Sequence, residues 1–295
     1  MNRNIGIGRR IFVIVNYIFC ISVAIVCILP VMHLLAVSLS SKNEVVSGRV
    51  AFWPVAFTLD SYRYVLQDAQ YFLSFFMSIK RAALGWFVQM VMTVLAAYPL
   101  SLRKNVFPAR QIFIWYFVVT MFFSGGLVPN YLVVESTGIN DTIWALVLPS
   151  AVPIFNIILM KNFIKELPDS LMESAFIDGA NHFTTLFRIV IPLCKAAIAT
   201  ISLFSILYHW NAWFDGMIYI KNMALKPLQT YLRSVIIADS SVSDESEALE
   251  EIMKNISPDS VSGAKIFFAL IPIMCIYPFL QKYFTKGIVM GSVKG

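Results

Sequence analysis

Residues 173–192 read ESAFIDGANHFTTLFRIVIP, a polar interruption between two long apolar runs. Ser170 and Glu173, three residues apart, have the pattern of a capping box, in which each side chain satisfies a free backbone N–H at a helix start. A short helix over about 171–178 is predicted from it. Gly179 suits the left-handed position that ends a helix, and Asn181 can cap a second helix running toward Phe187. The expected product is a helix-glycine-helix elbow. It carries the small residues Ser174, Ala175, Gly179 and Ala180 beside the larger Leu171, Met172, Phe176 and Ile177, so its first helix can seat closely in a groove on a partner. The same spacing also fits an ordinary interfacial helix in a cytoplasmic loop of a membrane protein.

The surroundings of the elbow are those of an integral membrane protein. Of 295 residues, 58% are hydrophobic and only 14% charged, and the mean hydropathy of +0.73 lies outside soluble norms. The net charge of +6 resides largely in basic residues at the ends of apolar runs, where they act as topology signals, and no nucleic-acid role is assigned to it. Cys20, Cys27, Cys194 and Cys275 each sit in an apolar run with no metal-ligand spacing and imply neither a disulfide framework nor a metal site.

Six spans are expected. The first, 11–39, follows Arg3, Arg9 and Arg10 and lacks a small-residue cleavage pattern, so it reads as a retained helix that starts in the cytoplasm. Residues 40–81 form a mixed external connection. The second span, 82–102, is closed by Arg103, Lys104 and Arg110, a cytoplasmic signature. The third, 112–134, contains Ser124-Gly125-Gly126 and Pro129, which mark either a break beside a translocation path or a packing contact or span end. An external connection without Lys or Arg, 135–141, leads into the fourth span, 142–163. The elbow lies in a cytoplasmic loop, 164–190. The fifth span, 189–214, ends in His209-Trp210-Asn211-Ala212-Trp213-Phe214. The external segment 215–263 holds a serine-rich acidic run at 240–251, and the sixth span, 264–282, puts Lys282, Lys286 and Lys294 inside. The fold class is an all-α polytopic membrane protein, a single permease domain over 1–295 with both termini cytoplasmic.

No G-x-x-x-x-G-K-[ST] phosphate loop is present, and no H-E-x-x-H or other protease constellation, so no catalytic residue is assigned. His33, His182 and His209 are dispersed, and no metal ligand is assigned either. An ion-coupled secondary transporter of a small solute is the competing class. It would place ionisable groups deep in its spans, whereas the cores of these six runs hold none, Lys195 and Lys265 lying near span ends where they can snorkel.

The order Glu173-Ser174-Ala175, Asp178-Gly179-Ala180 and 187–192 closely resembles the EAA loop of permease subunits of binding-protein-dependent ABC importers. Nearly the whole chain resembles the carbohydrate-importer permeases of the maltose-permease-like branch. The stretches that carry this are 120–129 (TMFFSGGLVP), 209–214 (HWNAWF) and the end of the chain, 287–295. They look like the subgroup that imports complex or uronic-acid-containing oligosaccharides in Gram-positive bacteria. Ser174, in place of the first alanine of the name motif, and Ala196, where many members have proline, are the departures, and both are small. The resemblance implies a type I importer permease fold in the bacterial plasma membrane. It implies as partners a second homologous permease, an ATPase dimer and an extracellular solute-binding lipoprotein, with ATP and magnesium bound by the ATPases and no cofactor on this chain. It further implies that Glu173, Ser174, Ala175, Asp178, Gly179 and Ala180 couple to an ATPase and that Gly291, Val293, Lys294 and Gly295 run along it. As aromatic and polar groups that suit a sugar, Phe122, Phe123, Trp210, Asn211, Trp213 and Phe214 are candidates for the substrate pathway. An interfacial aromatic belt is the alternative for Trp210, Trp213 and Phe214.

Overall fold

Helices longer than the bilayer core and apolar on most sides need no partner strand, because every backbone hydrogen bond is made within the element. The computed structural model describes the backbone of residues 7–239 and 256–291 and the side chains of 8–235 and 256–278. Among the described residues there is no β-strand, only an isolated antiparallel bridge between Ser40 and Phe57.

The chain begins with α1 (Ile7–Ser38), α2 (Lys42–Val46) and α3 (Asp60–Gln67). It continues with α4 (Ala69–Ser101), α5 (Arg110–Phe122), α6 (Leu127–Ser136) and α7 (Ile143–Val147). Next come α8 (Ile154–Lys165), α9 (Asp169–Ile177) and α10 (His182–Thr185). After a π-helical turn, Leu186–Val190, follow α11 (Ile191–Leu193), α12 (Lys195–Asn211), α13 (Phe214–Tyr219), α14 (Leu228–Asp239) and α15 (Pro258–Gly291). Among the described residues three helices, Gly8–Ser38, Ala69–Ser101 and Pro258–Pro278, are long and apolar enough to cross a membrane. Three bent pairs, α5 with α6, α7 with α8, and α10–α11 with α12, bring the number to six if each pair is one span.

The bends have local causes. Between α5 and α6 the axis turns by 113° at Ser124-Gly125-Gly126, where Gly126 adopts φ +85°, and Pro129 falls in the first turn of α6, where no N–H is needed. The weak point read from the sequence is therefore a full break. The 50° bend between α7 and α8 centres on 151–153, ending at Pro153, and the carbonyl of Ser150 accepts a hydrogen bond of 2.8 Å from Gln89 Nε2. The third bend, 84°, falls at Cys194 between α11 and α12.

Two compact units emerge, one taking the chain up to Ala69 with Ser234–Leu270, the other Gln70–Arg233 with the chain from Ile271. In the first unit, Ser40 Oγ donates to the Ala36 carbonyl at 2.6 Å and accepts from Val55 N at 3.0 Å, closing the end of α1. Lys265, expected to snorkel, is instead buried, with its ammonium 2.9 Å from Asp68 Oδ2, because α3 delivers a carboxylate to it. In the second unit, Ala97 and Leu100 of α4, Ile157 and Met160 of α8, Val190 of the π turn and Ile201 of α12 form the centre of one buried cluster. The segment that carries the elbow is thus packed directly onto the spanning helices. α4 starts at Ala69, well before the expected span at 82, so Arg81 lies inside a long helix.

Candidate functional site

The elbow at 169–185 is built by local bonding. At the end of α9, Gly179 takes φ +80°, Gly179 N donates to the Phe176 carbonyl at 3.1 Å and Ala180 N to the Ala175 carbonyl at 2.9 Å. This pair of bonds is a Schellman cap, and it makes Ala175 and Ala180 the two ends of the six-residue closure. Asp178 N bonds the Ser174 carbonyl at 2.9 Å, and Asn181 Oδ1 accepts from Thr184 N at 2.8 Å, so the expected second cap is present. Ala175 is buried, whereas Ile177 is 85% exposed and Phe183 68%. An apolar edge is thus left on the elbow's outer side.

The expected capping box is not formed. Pro168 is the N-cap of α9, no side chain caps this end, and Asp169 and Ser170 are already in the first turn. Glu173 turns to another partner: its Oε1 accepts from Arg103 Nη1 at 2.6 Å, while Arg103 Nη2 lies 2.6 Å from Asp169 Oδ2. A fork of donors reaching two carboxylates outcompetes one backbone N–H at an exposed helix start. The hydrogen bond to Asp169, then the charges of Asp169 and Glu173, push the Arg103 guanidinium pKa above its ordinary value. A cleft of about 330 Å³ opens here, with Arg103, Arg110, Lys165, Asp169 and Glu173 around its rim. Behind the elbow, Tyr98 OH lies 3.1 Å from His182 Nδ1, and Phe176 meets the His182 ring edge-on at 5.0 Å. Tyr98 of α4 thus meets the elbow after the glycine, while Arg103, just beyond the end of α4, holds the helix before it.

At the far end of α12 a second cluster forms. Trp210 is 3% exposed and packs edge-on against Phe75 at 5.9 Å, its indole N–H without a partner among the described residues. Arg81, fully buried, donates to the Ala212 carbonyl at 3.0 Å and forms an ion pair with Asp215. Thr230 Oγ1 donates to the Trp213 carbonyl at 2.8 Å. The Trp213 indole meets Phe214 edge-on at 5.5 Å, and the Arg233 guanidinium lies 4.1 Å from the indole centroid. Asn211, the last residue of α12, is exposed. Next to this cluster, His209 is buried against Gly85, where an added Cβ would meet the imidazole ring.

Of the residues expected to line a pathway, Trp213 and Phe214 are joined and Trp210 and Asn211 sit beside them. Phe122 and Phe123, at the break after α5, are each 76% exposed and make no ring contact with that group among the described residues. Gly291 is the last residue of α15, while Val293, Lys294, Gly295 and the acidic run at 240–251 lie outside the described residues. Sequence reasoning passed over Gln89, Asn156, Phe204 and Tyr208. They border a cleft of about 320 Å³ at the α7–α8 bend, in which the Asn156 amide lies 3.4 Å from Ser205 Oγ. Their signal was a pair of side-chain amides inside otherwise apolar runs, where each uncharged polar group needs a partner.

Residues 70–290 match the family described as binding-protein-dependent transport system inner membrane component. The chain is similar to the polygalacturonan/rhamnogalacturonan transport system permease protein YtcP of Bacillus subtilis (strain 168), at 40% identity over 97% of this chain and 99% of the relative. It is equally similar to protein LplC of the same organism, at 40% identity over 97% and 96% of the two chains. A solved structure of a bacterial ABC transporter involved in the import of the acidic polysaccharide alginate has a chain that superposes with a TM-score of 0.88, at 31% identity over 96% of this chain and 100% of its own.

Proposed function

Because the chain belongs to the family of binding-protein-dependent transport system inner membrane components, we propose that it is one of two membrane halves of an ATP-driven importer of acidic oligosaccharides. The observation that carries this reading is the end-to-end similarity to a permease named for polygalacturonan and rhamnogalacturonan. The chain is a membrane permease subunit and not an enzyme. In the proposed assembly a second permease completes the pathway, two partner ATPases hold ATP and magnesium, and an extracellular solute-binding lipoprotein delivers the sugar.

The elbow, with Ser174, Ala175, Asp178, Gly179 and Ala180 in its turn and Glu173 on its edge, faces the cytoplasm and seats in an ATPase cleft. Its exposed Ile177 and Phe183 supply apolar contact there. The run from α10 through α12, bent by 84° at Cys194, carries its displacement across the membrane. Six spans with both termini inside would place Trp210, Asn211, Trp213 and Phe214 at the extracellular end of that run. Gln89, Asn156 and Tyr208 at the α7–α8 bend offer neutral hydrogen-bonding groups and an aromatic ring partway along it. Contact of Gly291, Val293, Lys294 and Gly295 with the ATPases is proposed on the family resemblance alone.

The test is reconstitution of both permeases and the ATPases in proteoliposomes with the binding protein outside. ATP-dependent uptake of a galacturonate trisaccharide is expected. Uptake by this chain alone, driven by an ion gradient without ATP, would replace the proposal with a secondary transporter.

A further inference from the structure

Two of the relatives described above are named for acidic polysaccharides, and a carboxylate in transit needs a cation that is not already neutralised. In the turn after α12, Arg81 and Asp215 compensate each other. Arg233 is different. Its side chain is exposed, its guanidinium carbon lies over the Trp213 ring at 4.1 Å from the centroid, and among the described residues no carboxylate pairs with it. A guanidinium lying over an indole keeps its N–H edge available in its own plane, where a carboxylate accepts two parallel hydrogen bonds.

The platform beneath it is fixed from several sides. Arg81 holds the Ala212 carbonyl and the Asp215 carboxylate, and Thr230 holds the Trp213 carbonyl. Thr230 comes that close because Gly216 has no Cβ, which would otherwise meet the threonine hydroxyl. Beside the stacked pair, Phe214 leaves 44% of its surface exposed, an apolar ring of the kind that packs on a sugar face. A preorganised cation beside an open aromatic ring has the composition of a site for one charged sugar unit.

We propose that Arg233, stacked on Trp213 and flanked by Phe214, forms a subsite that binds the carboxylate of a uronic-acid unit and gives the permease its preference for anionic saccharides. This rests on the oligosaccharide-importer reading, and the experiment separates the two. Initial uptake is measured in the reconstituted importer for a galacturonate trisaccharide and for its methyl ester, in the wild type, R233Q and R233K. Each permease complex is checked for assembly and basal ATPase. R233Q is expected to raise KM for the charged trisaccharide by about tenfold or more, as loss of a charge-assisted pair does, with kcat and the ester's KM unchanged. R233K, which retains the charge without the two-pronged edge, is expected to lose part of the preference. Equal losses for both probes, or wild-type preference in either variant, would overturn the subsite. Absence of ATP-dependent uptake of both probes by the wild type would instead overturn the importer reading, and the subsite with it.

Discussion

At Gly179 a φ of +80° is imposed by the two capping bonds, and any side chain there is strained even though open space surrounds the position. Replacing it with valine should cost about 1 to 2 kcal/mol locally, because a left-handed backbone crowds Cβ against the following carbonyl. The chain should still insert and pair with the proposed second permease, while sugar uptake per ATP hydrolysed falls in the reconstituted complex. Normal coupling in that variant would make the elbow an ordinary loop. Arg103 presents a different case, since it holds α9 through Asp169 and Glu173 together. In R103Q, hydrogen exchange across 169–177 is expected to quicken with the spanning helices unchanged. If the exchange pattern matches wild type, Arg103 does not hold α9. The contrast also explains what could be read beforehand. A left-handed glycine and an asparagine cap are decided within a few residues, so Gly179 and Asn181 were legible. The Arg103 clamp spans a long stretch of chain, and no local pattern announces that a carboxylate with a backbone partner in reach will take a guanidinium instead.

At the level of elements, breaks matter as much as helices. At the α5–α6 break two glycines and a proline made a weak point legible, with a packing contact or span end as the other reading, whereas the α7–α8 bend was not legible, since 151–153 is AVP inside an apolar run and a single proline is often absorbed. The early start of α4 was hidden for the opposite reason, because residues 69–81 mix aromatic and polar side chains as an interfacial loop does. That hidden portion carries Arg81, which fastens α4 to the α12–α13 turn. Asp215→Ala leaves the fully buried guanidinium without its counter-charge, and loss of one member of such a pair costs about 3 to 5 kcal/mol. The expected readout is a lower inactivation temperature of the solubilised assembly. Asp215→Asn, with its amide oxygen still able to accept, should fall between that variant and wild type. Wild-type stability in Asp215→Ala would show the pair to be dispensable.

At the scale of the molecule, three unbroken helices and three bent pairs among the described residues are apolar enough to cross a membrane, and the elbow and the Ala212–Asp215 turn stand at the two ends of the α10–α12 run. The chain purified alone is expected neither to hydrolyse ATP nor to accumulate sugar, because it has no phosphate loop and forms only one side of the proposed pathway; ATPase activity above that of empty liposomes would contradict this. The hydropathy pattern made the membrane class and the elbow legible. It was blind to which buried faces meet, since close packing depends on shape and not on periodicity. The notch of α4 that receives His209 is such a meeting, and its consequence is evolutionary. A methyl group at 85 would occupy the place of the imidazole ring, so the two positions form one volume shared between two helices. In a deep sequence family, a larger residue at 85 should therefore arrive with a smaller one at 209. A paired mutational scan should find G85A harmful, H209A tolerated or mildly harmful, and the double variant fitter than G85A alone. Additive effects at the two sites would mean that the notch leaves no trace in descent.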